Sequence, residues 1–117
     1  MGNLLIILFS SPLQSQNIHT VYELAQAALE MKHEVTVFCD DDATYNLMSM
    51  PMMSGKAPPA SKMEELVKKG VHVLACRESA RIRGIDVKKD FIQGVVESSL
   101  GKLAELMEQN DRIVAFG

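Results

Sequence analysis

The sequence predicts an α/β protein in which helices cover both faces of a mainly parallel sheet. Two observations support this class: short apolar runs alternate with segments of helical periodicity, and the alternation continues along all 117 residues. Strands that alternate with helices are typical of parallel sheets. The chain contains no internal repeat and no linker-like stretch. We therefore expect a single domain over residues 1–117, which is long enough to bury a core.

The first two predicted strands enclose a helix. Residues 4–9 are apolar at consecutive positions, as in a strand covered on both faces. Residues 34–39 are rich in β-branched and aromatic side chains, which favours a second strand. Between them, apolar residues at helical spacing predict a helix over residues 18–31 with Asn17 as its N-cap.

The middle of the chain is less regular. The acidic run 40–42 opens a short turn or helix that extends through Leu47. Residues 48–61 contain three prolines and one glycine, which argues against a regular element. Ser61 is predicted to cap a helix over residues 62–69 in a capping box with Glu64, and Gly70 ends this helix.

Three further strands and two helices are predicted in the remaining chain. A third strand covers residues 71–75, and a short helix over residues 77–83 is closed by Gly84. A short fourth strand lies near residues 94–96, and Ser98 or Ser99 caps the next helix. That helix places four apolar residues at helical spacing: Leu100, Leu103, Ala104 and Met107. Residues 113–116 form the last strand.

Composition and charge argue against several classes of protein. The net charge is −3 and no long run of Lys or Arg occurs, so direct binding of nucleic acid is not expected. The apolar run 4–9 is too short to span a bilayer, and it does not read as a signal peptide. We therefore expect a cytoplasmic protein without a membrane contact, in which the two cysteines are free thiols.

Cys76 is the strongest candidate for chemistry. In parallel sheets, reactive groups gather at the carboxyl ends of the strands. Cys76 ends a predicted strand and begins a predicted helix, whose dipole favours a thiolate. Positive charge follows at Arg77, Arg81 and Arg83, and it also lowers a thiol pKa. The alternative is a buried core cysteine, which is common for free thiols.

Cys39 is predicted to be structural. It also ends a strand, but three aspartates follow it, and negative charge disfavours a thiolate. These side chains cannot converge on a metal ion, because neighbours in a strand point to opposite faces. If strand 1 lies between strands 2 and 3, the two cysteines are about 10 Å apart, too far for a disulfide.

The loop after strand 1 is polar but lacks the glycines of a nucleotide-binding motif. Ser10, Ser11 and Gln14 could nevertheless hydrogen-bond a ligand or partner. Among the histidines, His19 lies in the first turn of the first helix, on the same rim of the sheet as Cys76. His33 and His72 belong to the opposite rim, so only His19 could line the site.

Methionines are concentrated in residues 48–53. Met is flexible and frequent on surfaces that adapt to a partner, so this segment predicts a subunit or partner interface. The alternative is a loop that folds back over the core.

One pattern resembles a known family. A strand led by Gly-Val ends in Cys, seven residues intervene, and Gly follows, in "KGVHVLACRESARIRGI". Together with "LLIILFSSP", "HEVTVF" and "LAELMEQNDRIVAFG", this pattern resembles the DsrE/TusD group of sulfur-relay proteins over nearly the whole chain. The resemblance implies a flavodoxin-like three-layer αβα sandwich with about five parallel strands.

The resemblance also implies a function. In the family members that have a cysteine at the position of Cys76, that cysteine carries a persulfide, which it receives from a donor protein and passes to an acceptor protein. The pathway is tRNA thiolation or dissimilatory sulfur metabolism, and the proteins form trimers, hexamers or hetero-oligomers with related subunits. No cofactor and no metal are implied. Two alternatives remain: a flavodoxin-like module that binds a nucleotide or another small molecule, and a non-catalytic subunit of a DsrE-like complex.

Overall fold

The computed structural model describes residues 2–49 and 60–117 and contains a five-stranded parallel sheet. The strands are β1 (Asn3–Leu8), β2 (Glu34–Cys39), β3 (His72–Cys76), β4 (Val96–Ser98) and β5 (Arg112–Phe116). The helices are α1 (Asn17–Glu30), α2 (Ala60–Lys68), α3 (Arg77–Ile82), α4 (Val87–Asp90) and α5 (Leu100–Gln109). A 3₁₀ helix, Asp41–Leu47, follows β2. The predicted α/β class is therefore confirmed.

The order of the strands is β4-β3-β2-β1-β5. Strand β2 lies between β1 and β3. The common order with β1 between β2 and β3, on which the separation of about 10 Å between the two cysteines depended, is therefore not the observed one. The chain adds β2, β3 and β4 in one direction across the sheet and then returns to place β5 beside β1. Crossovers between parallel strands are right-handed. The crossover to β5 runs across the sheet in the opposite direction, so its helix, α5, lies on the face opposite to α1 and α2.

Two apolar cores lie on the two faces of the sheet. The larger core contains Ile6 and Val37 of the sheet packed with Val21 of α1 and Leu66 of α2. The smaller core contains five buried side chains: Leu5, Ile7, Phe38, Cys76 and Leu103. Alternate residues of β1, β2 and β3 enter different cores, as the pleat requires. This arrangement confirms the three-layer sandwich.

Helix α5 covers its face of the sheet with few buried side chains. Of its four predicted apolar positions only Leu103 is buried, while Leu100 and Met107 are 57% and 45% exposed. Ser99 caps this helix, with its Oγ 3.1 Å from the backbone N of Lys102, as predicted. Among residues 2–49 and 60–117, no helix combines the length and apolarity needed to cross a bilayer.

Two predicted caps are wrong. Helix α1 begins at Asn17 itself, so Gln16 is the N-cap residue and makes no side-chain cap bond. The Asn17 side chain instead donates to the carbonyl oxygen of Gly117 at 2.6 Å. Helix α2 begins at Ala60, which places Ser61 inside the helix and removes the predicted capping box.

The segment between α3 and α5 differs most from expectation. The four-residue helix α4 was not predicted; Asp86 caps it by accepting from the backbone N of Lys88 at 3.0 Å. Strand β4 begins at Val96, at the end of the predicted stretch. Gly84, with a φ of 71°, closes α3 as predicted.

Candidate functional site at the end of strand β3

Cys76 is the last residue of β3 and the N-cap residue of α3, which confirms its predicted position. It pairs with Ser98 of β4. The residue is only 2% exposed, and its side chain belongs to the smaller core with Phe38 and Leu103. The thiol therefore lies at the carboxyl rim of the sheet, beneath a cover of apolar side chains.

Cys39 occupies the larger core on the opposite face. It pairs with Ala75 of β3, the residue before Cys76, and it is fully buried. Burial, assisted by the carboxylate of Asp40, raises the pKa of the Cys39 thiol to about 12. Desolvation therefore raises the pKa of Cys39 more than the negative charge of Asp40 does. Both cysteines are free thiols.

The three arginines after Cys76 have different surroundings. Arg77 and Arg81 are exposed on α3, and Arg81 pairs with Glu78 of the same helix at 2.7 Å. Arg83 is only 17% exposed on its side chain and reaches back to the acidic run. Its Nε donates to Asp42 at 2.9 Å, and its Nη2 donates to Asp41 at 2.8 Å. Its charge therefore faces two carboxylates, which raise the pKa of Arg83.

Ser79 completes the link between α3 and the acidic run. Its Oγ donates to Oδ1 of Asp40 at 2.8 Å and accepts from the backbone N of Asp41 at 3.0 Å. Arg83 also donates to the carbonyl oxygen of Ser79 at 3.0 Å. We call Ser79, Arg83 and the acidic run, Asp40, Asp41 and Asp42, the α3 clamp.

Sequence reasoning missed the α3 clamp because its halves lie about forty residues apart, at separations of 39, 41 and 42. The available signal was the i, i+4 spacing of Ser79 and Arg83, which places both on one side of a helix. Their partner is the acidic run, which follows β2. It could be recognised only once β2 and β3 were known to be adjacent strands.

The polar loop after β1 is held together by its own side chains. Oγ of Ser10 lies 2.7 Å from Oγ of Ser15, and Oε1 of Gln14 accepts from the backbone N of Ser11 at 2.8 Å. Oγ of Ser11 accepts in turn from the backbone N of Gln14 at 3.2 Å. The buried Asn46 donates to the carbonyl oxygen of Ser10 at 2.9 Å. The predicted ligand groups thus form an ordered local network.

The histidines occupy the predicted rims. His19 is exposed in the first turn of α1, on the rim that holds Cys76. Nδ1 of His33 accepts from the backbone N of Gly2 at 2.9 Å, and His72 lies 3.4 Å from Glu34, both at the amino ends of strands. An open cleft of about 550 Å³ lies at that amino rim between α1 and β5, remote from Cys76.

Within the described ranges, no three His, Cys, Asp or Glu side chains converge as a metal site. The carboxylates of the acidic run bond Arg83 and Ser79 instead. The interface predicted for residues 48–53 falls mostly outside the described residues, which resume at Ala60. Met48 is described and forms an isolated antiparallel bridge with Phe91.

Comparison with known proteins identifies relatives over almost the full length. The sequence model of the DsrE/DsrF-like family matches residues 3–116. A protein named "Sulfurtransferase TusD homolog" from Vibrio parahaemolyticus is 29% identical over 115 residues, which covers 87% of this chain and 88% of the relative. These matches confirm the resemblance found in the sequence.

Solved structures show the same fold. The ychN protein from E. coli superposes with a TM-score of 0.84 at 24% identity, covering 99% of this chain and 100% of that one. A protein of unknown function from Methanobacterium thermoautotrophicum gives a TM-score of 0.74 at 15% identity, with the same coverage. The architecture is therefore shared at low sequence identity.

Proposed function

Because the chain belongs to the DsrE/DsrF-like family, we propose that it is a sulfur-relay protein whose single domain carries a persulfide on Cys76. The observation that carries this proposal is the placement of Cys76 at the junction of β3 and α3. Parallel sheets present reactive groups at this rim. The relative named as a sulfurtransferase supports the same chemistry.

The proposed reaction is an exchange between sulfur atoms. The Cys76 thiolate attacks the outer sulfur of a donor persulfide, a new S–S bond forms, and the donor's S–S bond breaks. The donor leaves as a thiolate and takes up the proton that Cys76 lost. An acceptor thiolate then attacks the outer sulfur on Cys76 in the same way. Sulfur moves without net oxidation, so neither a metal nor a cofactor is needed.

The side chains around Cys76 receive roles in partner binding. Arg77 and Arg81 are exposed on α3, the helix capped by Cys76, where a docking protein would meet them. The same rim carries polar side chains further from Cys76, in the loop after β1 and the first turn of α1: Ser10, Ser11, Gln14 and His19. Arg83 is assigned to holding α3 against the acidic run, because its guanidinium is bonded to Asp41 and Asp42.

The partners in this proposal are a sulfur donor protein and a sulfur acceptor protein. Thiol exchange of this kind suits a reducing compartment such as the cytoplasm, where free cysteines persist. We also propose assembly as a trimer, a hexamer or a hetero-oligomer with related subunits. The exposed apolar side chains of α5, Leu100 and Met107, support such contacts.

The test is to load the protein with sulfur from a low-molecular-weight persulfide and to measure its intact mass. Wild type and Cys39→Ser are expected to gain one sulfur atom, and Cys76→Ser is expected to gain none. Cys39→Ser is a matched control because Cys39 ends the adjacent strand and faces the other core. A wild type that gains no sulfur, or a Cys76→Ser variant that gains as much, refutes the proposal.

A second candidate is a non-catalytic subunit that contributes only interfaces. The observation in its favour is the 2% exposure of Cys76. In that case the thiol is a core residue, and neither persulfide loading nor alkylation occurs faster than global unfolding allows. The rate of Cys76 alkylation in the native protein therefore separates the two candidates.

A further inference from the structure

The side chains that cover Cys76 belong to the smaller core. Only 2% of Cys76 is exposed, and the buried side chains of that core come from β1, β2 and α5: Leu5, Ile7, Phe38 and Leu103. The two strands are hydrogen-bonded into the sheet and cannot leave it without global unfolding. Sulfur transfer requires Sγ of Cys76 to meet another sulfur. Leu103 of α5 is therefore the part of the cover that can move locally to allow this.

The start of α5 lies beside Cys76 in the fold. Cys76 pairs with Ser98 of β4, and the next residue, Ser99, is the N-cap of α5. The backbone N of Leu103 donates to the carbonyl oxygen of Ser99 at 3.0 Å and closes the first turn. The first turn, residues 99–103, thus runs from the neighbour of the thiol to the side chain that covers it.

Few contacts hold α5 to the sheet. Its buried side chain is Leu103, and Leu106 is partly buried beside it. The side-chain hydrogen bonds and the ion pair described for α5 stay within the helix and its two caps. A ten-residue helix is marginal by itself, and elements with few tertiary contacts open at low free energy. Local opening of α5 therefore requires the loss of little besides the packing of Leu103.

The first turn of α5 contains the residue least suited to a helix. Gly101 lies within it, and glycine disfavours the helical backbone. The connections of α5 restrict a rigid swing of the whole helix, because only Ser99 separates it from β4 and only Asn110 and Asp111 separate it from β5. Unwinding of the first turn frees Leu103 while both connections stay in place.

We propose that the first turn of α5, residues 99–103, is a gate over Cys76. It unwinds locally, Leu103 withdraws, and the thiol becomes accessible from the α5 face while the sheet stays folded. This inference rests on the proposed function for its purpose, because it supplies the step by which a buried thiol meets a partner. Its physical content, the local opening of α5, is independent of sulfur chemistry.

Alkylation of the native protein by iodoacetamide tests the gate, with the two cysteines resolved by peptide mass spectrometry. Cys39 is the internal reporter, because it is buried in the larger core, where global unfolding exposes it and opening of α5 does not. Each rate is divided by the rate of the same cysteine in denaturant. In wild type, Cys76 should then react faster than Cys39.

Three substitutions at exposed positions of the α5 segment change the stability of the gate without touching the smaller core. Ser99→Ala removes the cap and Ala104→Gly weakens the helix, so each should raise the Cys76 rate about fivefold. Gly101→Ala should lower the Cys76 rate about threefold, because it stabilises the helix. The added Cβ would meet Oγ of Ser99 at an ordinary distance of 3.7 Å.

Ala27→Gly is the matched control, because it makes the same change at an exposed position of α1. Helix α1 stays folded when the gate opens but unfolds with the whole protein. Ala27→Gly should therefore raise the Cys39 rate about fivefold and leave the Cys76 rate unchanged.

A Cys76 rate that Ala104→Gly does not change overturns the inference. Equal acceleration of both cysteines in Ala27→Gly also overturns it, because Cys76 then reacts through global unfolding. Should Ala104→Gly fail to fold, Ser99→Ala and Gly101→Ala decide the question. Failure of persulfide loading together with the expected alkylation rates would refute the proposed function and leave the gate supported. Loading at a rate that none of the α5 variants changes would refute the gate and leave the proposed function supported.

Discussion

Cys39 and Cys76 end adjacent parallel strands but face opposite sides of the sheet. Cys39 pairs with Ala75, so Cys76 lies one residue further along the neighbouring strand. Successive side chains of a strand alternate between faces. The two thiols therefore belong to different cores, with Cys39 in the larger and Cys76 in the smaller. The backbone of the sheet separates two sulfur atoms whose strands are only about 4.8 Å apart.

The first prediction concerns oxidation. A disulfide needs Cβ atoms that point toward each other, which opposite faces forbid. We expect native protein treated with diamide to form no bond between Cys39 and Cys76, as judged by non-reducing peptide mapping. The same treatment in denaturant is the control and should yield the intramolecular disulfide. Finding that disulfide in the folded protein would show that the assigned faces are wrong.

The second prediction concerns alkaline pH. The pKa of Cys39 is raised from 9.0 to about 12 in the folded state. The stabilisation from its neutral thiol is therefore complete below about pH 9 and is lost as the pH rises toward 12. Relative to Cys39→Ala, wild type should lose up to about 1.4 kcal/mol of unfolding free energy per pH unit in that window. Urea denaturation of both proteins at pH 7, 9, 10 and 11 measures this difference. A difference independent of pH would contradict it.

The third prediction compares two glycines with positive φ. A Cβ at Gly94 would clash with Cγ1 of Val67, whereas one at Gly84 would meet no atom of the described residues within 4 Å. Gly84→Ala should cost about 1–2 kcal/mol from backbone strain alone. Gly94→Ala should cost about 1–3 kcal/mol more, because the extra methyl overpacks the contact. Chemical denaturation measures both.

The double variant Gly94→Ala, Val67→Ala provides the control for this comparison. It should be less destabilised than the sum of its two single variants, because the second change removes the clash. Equal losses in Gly84→Ala and Gly94→Ala would mean that the close approach to Val67 has no energetic effect.

The fourth prediction concerns the helix that covers Cys76. Leu103 is the buried apolar side chain of α5 and packs in the smaller core, whereas Met107 is 45% exposed. Leu103→Ala should destabilise the protein by about 2–4 kcal/mol, as expected for a core leucine. Met107→Ala on the same helix should change stability by less than about 1 kcal/mol. Similar losses in thermal or urea unfolding would contradict the assigned packing of α5.

Local periodicity predicted most strands and helices, but it did not predict which strands are adjacent in the sheet. Strand β2 was predicted with its observed bounds because its β-branched and aromatic residues are unambiguous. The order of the strands was not predictable, since burial on both faces fits any interior position. The four residues of α4 include no buried side chain, so no apolar periodicity in the sequence indicated that helix.

The candidate site was predictable in position but not in exposure. The residue types around Cys76 fixed its place at the end of a strand and the start of a helix. Its cover comes from Leu103 of α5 and Phe38 of β2, both distant in sequence. The role of Arg83 was missed for the same reason: its carboxylate partners lie 41 and 42 residues away.

The return of the chain from β4 to β5 has a consequence for folding during synthesis. The buried residues of the larger core lie between Ile6 and Ile92, so all of them precede α5 in the chain. Domains begin to fold as the chain emerges, at about 5–20 residues per second. We therefore expect the face that holds Cys76 to be completed last. Because Leu103 of α5 covers this thiol, we expect it to stay uncovered in the nascent chain until α5 has emerged.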